Sequence, residues 1–139
     1  MATTATQNIE RLMTQEHVRT PVPGVPPSPI ETLYAGSVAF IDATTGVTVS
    51  TSNAGANVVL GIVSKMYDEN NPPPPELDVV HAEIGHWERI PFAATPQQVG
   101  LVLGAVDDAT FAIGSGSRLG IIRQRLSATE VYVEIDPVA

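Results

Sequence analysis

VGLVLGAVDDATFAIGSGSRLGIIRQRLSATEVYVEI, residues 99–135, is the stretch whose patterning decides the fold class. Leu101, Leu103 and Ala105 share one parity, and Val102 and Val106 share the other. A strand apolar on both parities is expected to be buried on both faces. Asp107-Asp108 supplies a turn, Thr110 to Ile113 a short return strand, and Gly114 to Ser117 a loop. Leu119 to Leu126 and Val131 to Ile135 form a last pair, joined through Ser127 to Glu130. Val131, Val133 and Ile135 face one way, while Tyr132, Glu134 and Asp136 face the other, which predicts a sheet with one wet side.

Upstream the same grammar repeats. Ser37 to Ile41 and Val47 to Ser50 are short β runs around the turn residues Asp42 to Gly46, and Ser52 to Gly55 is a second turn. Val58 to Met66 is a strand with Gly61 inside it, a position that marks a bend or a close backbone approach. Asp68 to Glu76, DENNPPPPE, is a polar loop whose four prolines keep it out of a sheet, and Val79 to Phe92 resumes β character around the single tryptophan, Trp87. An echo recurs as VVLGIV, LVLGAV and RLGII, an apolar run broken by glycine. About eight short strands with almost no helical periodicity predict an all-β barrel or sandwich.

The N-terminus differs. Residues 1–8 are Thr- and Ala-rich, and Asn8 to His17 is compatible with a short helix bearing Ile9, Leu12 and Met13 on one side. Alone, such a helix is too short to be stable in water. Thr20 to Pro29, TPVPGVPPSP, holds five prolines in ten residues and is expected to be extended and polyproline-like. The chain therefore divides into an arm, residues 1–29, and a β domain, residues 30–139. A plain spacer and a docking arm both suit this composition; the docking reading assigns partner contacts to Ile9, Leu12, Met13, Val22 and Val25. On that reading the arm is held away from the body, and its removal leaves the body's melting temperature little changed.

With 139 residues the chain has room for one cored domain and an appendage. It is 43% hydrophobic but only 5% aromatic, so aliphatic side chains must fill the core, and its 16% of charged residues falls below the ~25% usual for soluble domains. The net charge is −8. In the arm Glu10 and Glu16 cancel Arg11 and Arg19, so the acid excess lies in the body. An acidic body argues against a nucleic-acid partner, which needs Lys and Arg to displace counterions. The basic residues form no cluster beyond Arg123 and Arg125. Without cysteine there are no disulfides, thiol chemistry or cysteine-zinc sites. No apolar run has signal-peptide or bilayer-spanning length, so a soluble protein made in a cytoplasm, with no membrane partner, is expected.

Candidate chemistry is sparse. In His81-Ala82-Glu83-Ile84-Gly85-His86 the histidines are five apart, not the four of a helical zinc motif. On a strand His81 pairs with Glu83 on one face and His86 with Glu88 on the other, too few ligands for a structural metal. These four are expected to be solvated. Asp107 and Asp108, adjacent on a turn, diverge rather than flank a reacting bond. Asp68, Glu69, Glu76 and Asp78 ring the proline loop without a calcium-loop pattern. Ser115 lies in a flexible GSGS loop, not a nucleophile elbow, and the only lysine, Lys65, follows no glycine-rich phosphate loop. The expectation is a protein with no catalytic residue, metal or cofactor, and not an enzyme.

Four pieces of the chain, in order, resemble the capsid decoration (cement) proteins of tailed bacteriophages. They are Ala35-Gly36-Ser37-Val38-Ala39; Val59-Leu60-Gly61-Ile62-Val63; Gly85-His86-Trp87; and Gln98-Val99-Gly100 with Asp107 to Phe111, Leu119 to Ile122 and Val131 to Ile135. The likeness spans roughly Leu33 to Ile135; DENNPPPPE and the proline-rich start have no counterpart in it. It implies a small β-barrel, tulip-like subunit that assembles as a homotrimer. Such a subunit sits on the outer capsid surface of the virion after assembly in the host cytoplasm. There it cements neighbouring major capsid proteins and meets adjacent decoration trimers. The alternative is a tail or surface adhesion module for a host receptor or glycan, on the same scaffold but with an exposed aromatic cluster.

Overall fold

The computed structural model describes residues 4–5, 20–23, 31–68, 70 and 81–137. They form ten strands: β1 (Thr20–Pro23), β2 (Val38–Ile41), β3 (Thr48–Val49), β4 (Val58–Val63), β5 (His81–Ile84), β6 (Trp87–Ile90), β7 (Val102–Ala105), β8 (Phe111–Ala112), β9 (Ser117–Arg125) and β10 (Val131–Ile135). Helical structure among the described residues is one 3₁₀ turn, Pro96–Gln98. The strands make two five-stranded sheets, ordered β1-β5-β4-β2-β3 and β6-β10-β9-β7-β8, with every recorded strand pairing antiparallel. The all-β class is as expected. The barrel is not: the two sheets are separate and do not close into one.

The core lies between them. Val38, Phe40, Val49, Val59 and Ile62 of the first sheet meet Ile90, Leu103, Ala105, Leu119, Ile122, Val131, Val133 and Ile135 of the second. On β10 Val131, Val133 and Ile135 are buried while Tyr132 and Glu134 are half-buried on the far face, as alternation requires. Within the run Val79 to Phe92, expected to resume β character, lie two strands: β5 belongs to the first sheet and β6 to the second. Gly85 makes the change of sheet at φ +80°, a left-handed conformation that costs a side-chain-bearing residue about 1–2 kcal/mol.

Glycines of the echoed runs adjoin register shifts. Gly61 lies beside the shift in the β2–β4 pairing, and Gly104 and Gly120 beside the shift in β7–β9. A Cβ on Gly120 would collide with the carbonyl oxygen of Glu134, so the backbones there come too close for any other residue. The three glycines of the repeated motif thus flank two β-bulges.

Burial on both faces, expected of the strand at Leu101 to Val106, belongs instead to β2 and β4. Beyond the first sheet a second cluster covers its outer face, where Ala39, Leu60 and Val63 pack with Leu33 and Tyr67. On β7 Gly104 is buried close against the Ser115 backbone, but Val102 is 41% exposed, and the preceding Val99 and Leu101 are 41% and 45% exposed.

Two stretches of the arm lie against the body, where the sequence reading holds them off. Thr20–Pro23 is an edge strand antiparallel to β5, Val22 facing Ala82 across the pair. Pro21 and Pro23 share a parity, so both missing N–H groups can point to the open edge, where prolines also discourage further strand addition. Thr4 and Ala5 reach the β7–β8 turn more than a hundred residues away. Ile9, Leu12, Met13 and Val25, the proposed helix over Asn8 to His17 and most of the proline loop lie outside the described residues.

Candidate functional site

Three polar constellations are built into the structure, and two are closed. Strand alternation turns His86, Glu88 and Ile90 inward together from the start of β6, and all three are buried. His86 Nε2 hydrogen-bonds the Glu88 carboxylate. The expectation that these residues are solvated is therefore overturned: the change of sheet at Gly85 carries His86 into the interior. The backbone locks this corner, because Gly85 N donates to the Ile135 carbonyl and Ile135 N donates to the His86 carbonyl.

The second closed constellation lies at the β7–β8 turn. Asp108 is fully buried, and its carboxylate accepts from Thr4 N at 2.9 Å, the Thr4 hydroxyl at 2.7 Å and Ala5 N at 3.2 Å. The same hydroxyl lies 3.1 Å from Asp107 Oδ1, which also accepts from Ala109 N. The turn reading of this pair stands, while the burial of Asp108 was not foreseen. Nearby, Glu31 is buried and accepts from the Ser50 hydroxyl at 2.9 Å and Ser50 N at 3.2 Å. Burial pushes the Glu31 carboxyl up from its ordinary range, the Ser50 hydrogen bonds offset part of this, and the Asp108 charge adds to the rise. Each of these buried acids is occupied by donors from its own chain.

The third constellation is open. Asp42 caps its own turn by accepting from Thr44 N and Thr45 N, both at 2.8 Å, and these bonds hold its carboxyl below the usual range. With Ile41, Ala56 and Val58 the turn lines a shallow groove of about 610 Å³. It brings one carboxylate, already engaged by its own turn, together with Thr44 and Thr45. Among the described residues no group of three metal-ligating side chains comes together. Ser117, the last residue of the GSGS stretch, donates its hydroxyl to the Asn57 carbonyl. The side chains of His81 and Glu83 and the residues Glu69, Glu76 and Asp78 lie outside the described residues. None of the described helical structure is long and apolar enough to cross a membrane.

What remains is a surface. Strand registers set Trp87, Glu134, Ile121 and Val102 in one row across β6, β10, β9 and β7 on the outer face of the second sheet. Trp87 and Tyr132 neighbour each other there, ring centroids 6.4 Å apart and tilted by 45°. Val99 and Leu101, just before β7, are exposed as well. Around the row the charges are compensated pairwise: Arg89 meets Glu130 through two bonds at 2.6 and 3.0 Å, Arg123 meets Glu134 at 2.9 Å, and Arg118 meets Asp136 at 3.4 Å. The Glu130 carboxylate raises the pKa of the Arg89 guanidinium. Sequence reading missed this face because periodicity marks a strand's apolar parities without saying which is covered. Its one local signal was Val102 on the parity opposite Leu103.

Comparison of the chain with protein-family models, with curated proteins and with solved structures gives no match.

Proposed function

We propose that the chain is a structural subunit, not an enzyme, and that it works by burying surface against other proteins. The reading follows the resemblance to phage decoration proteins. It is a subunit that assembles as a trimer on the outside of a capsid and bridges neighbouring major capsid proteins, stabilising the shell. The observation that carries it is the run of exposed apolar residues at the start of β7, Val99, Leu101 and Val102, in a chain with so few charges. Exposed apolar residues gathered into one patch mark an interaction site, whereas scattered ones need no explanation. Affinity for a shell then comes from many modest contacts made at once.

The test is direct. Purified protein mixed with undecorated capsids is expected to co-sediment with them at hundreds of copies per particle and to raise the temperature at which they rupture. No co-sedimentation, and no change in rupture temperature, refutes the reading. The neighbouring rings of Trp87 and Tyr132 on the outer face favour one alternative, an adhesion module for a host glycan or receptor. Purified virions would then carry a few copies of the protein instead of hundreds.

A further inference from the structure

We propose that the groove at the β2–β3 turn is a receptor for a lysine side chain presented by a partner protein. The groove belongs to the first sheet, whereas the exposed residues that carry the function proposed above belong to the second, so this is a separate contact with its own chemistry.

The groove is held in shape by the chain itself. Asp42 N donates to the Val47 carbonyl and Gly46 N donates to the Asp42 carbonyl, both at 2.9 Å, which closes the turn. Ala43 N donates to Asn57 Oδ1 at 2.9 Å, and the buried Asn57 thereby ties the turn to the start of β4. A site whose walls are already bonded to each other spends little on ordering when a ligand arrives. Its volume of about 610 Å³ is in the range that takes a drug-sized ligand, enough for one long side chain and the main chain flanking it.

Asp42 supplies the charge. The bonds from Thr44 N and Thr45 N both fall on Oδ1, fixing the direction of the carboxylate and keeping it ionised below the usual range. Oδ2 accepts no hydrogen bond among the described residues. The acids of the second sheet's outer face are different, since Glu130, Glu134 and Asp136 each meet an arginine. Asp42 meets no cation among the described residues: Arg125 is turned to the Ala94 carbonyl, and Lys65 lies beyond the end of β4 opposite Val58.

The geometry selects lysine over arginine. A guanidinium fork is matched by both oxygens of a carboxylate, but here one oxygen already serves two N–H groups; a compact ammonium needs only the other. Thr44 and Thr45, also on the lining, carry hydroxyls able to accept its remaining protons. The aliphatic stem has a place too. Val58 is the one exposed residue of β4, at 56%, and it faces Ile41 across the strand pair, with Ala56 beside them on the lining. A lysine lays its methylenes on such apolar surface while its head stays at the wet rim. An exposed ion pair contributes little by itself, so the contact selects a partner more than it drives binding.

The experiment is an NMR titration of the ¹⁵N-labelled full chain with capped tripeptides, glycine-lysine-glycine and its arginine and norleucine counterparts, and with n-butylammonium. The lysine peptide is expected to shift the amides of Ile41 to Gly46 and Ala56 to Val58 saturably, and more tightly than the other three ligands. Asp42→Asn keeps the turn, because an asparagine oxygen accepts the same two N–H groups, and should weaken lysine binding about three- to fivefold. Val58→Ser should weaken it as well, and it keeps the test readable should Asp42→Asn fold poorly; the amide spectrum checks both. Absence of saturable shifts at these residues overturns the proposal, as do arginine or norleucine binding equal to lysine, or lysine binding that neither variant changes. Shifts scattered over the body would report only the attraction of cations to a chain of net charge −8, and would overturn it too. Equal binding of n-butylammonium would assign the groove to free amines and remove the partner protein. No capsid enters the titration, so failure of the lysine site and failure of the shell-binding reading are separately visible.

Discussion

His86→Leu should be the most damaging single change in the second sheet, although His86 looks like a surface residue in sequence. Both His86 and Glu88 are fully buried, and the imidazole Nε2 is bonded to the Glu88 carboxylate. Leucine fills nearly the same volume, so the cavity contribution is small and the loss reports the polar interaction. Removing one partner of a buried pair typically costs about 3–5 kcal/mol, because the other group stays desolvated. Against a total stability of about 5–15 kcal/mol that is a large fraction. At ~4 °C per kcal/mol for a chain of this size, the melting temperature should fall by about 12–20 °C. Glu88→Met should also destabilise, leaving a buried imidazole. The double variant His86→Leu/Glu88→Met should recover most of the loss, since replacing a buried pair wholly by apolar groups is often near neutral. Urea unfolding of the four proteins closes the cycle. If His86→Leu costs under about 1 kcal/mol and the two changes simply add, the pair is no more than surface decoration and the argument fails.

Two further outcomes test the other buried acids. Deleting Met1 to Pro29 should lower the melting temperature of the body, because Asp108 loses the three donors of Thr4 and Ala5 and β5 loses its edge partner; an unchanged melting curve would mean these contacts contribute nothing. Glu31→Gln should stabilise the protein at neutral pH and not at acid pH: burial raises the folded pKa above the ordinary 4.5, so the wild type keeps this group's contribution below about that pH and loses it as pH rises through the folded value. Melting temperatures compared from acid to neutral pH should diverge in favour of the glutamine variant, and a gap opening the other way would refute the assignment.

Much of the second sheet was legible because its rules are local. The alternation of Val131 to Ile135 names its own inner face, and the glycine-broken apolar runs do mark bulges. His86 was misread for want of one inference. His86, Glu88 and Ile90 share a parity, and an isoleucine on that face signals the core, but the polar residues outnumber it. The single run Val79 to Phe92 hid a change of sheet because Gly85 permits a left-handed step without interrupting β character on either side. The contact of Thr4 with Asp108 spans 104 residues. No periodicity extends so far, and a carboxylate beside a turn is indistinguishable in sequence from one buried beneath it.

The candidate face was illegible for a different reason. Sequence reading found β7 apolar on both parities and concluded that both are buried; in the structure Leu103, Gly104 and Ala105 are, and Val102 is not. The same inference holds for β4, where Leu33 and Tyr67 supply the missing layer from flanking loops. The difference is in what their neighbours provide: on β7 the loop at Ser115 closes over Gly104 but leaves Val102 exposed. Hydrophobic patterning records the burial a strand requires in its working state. If the chain works as the structural subunit proposed above, the burial that Val102 lacks within the chain is completed against a partner protein.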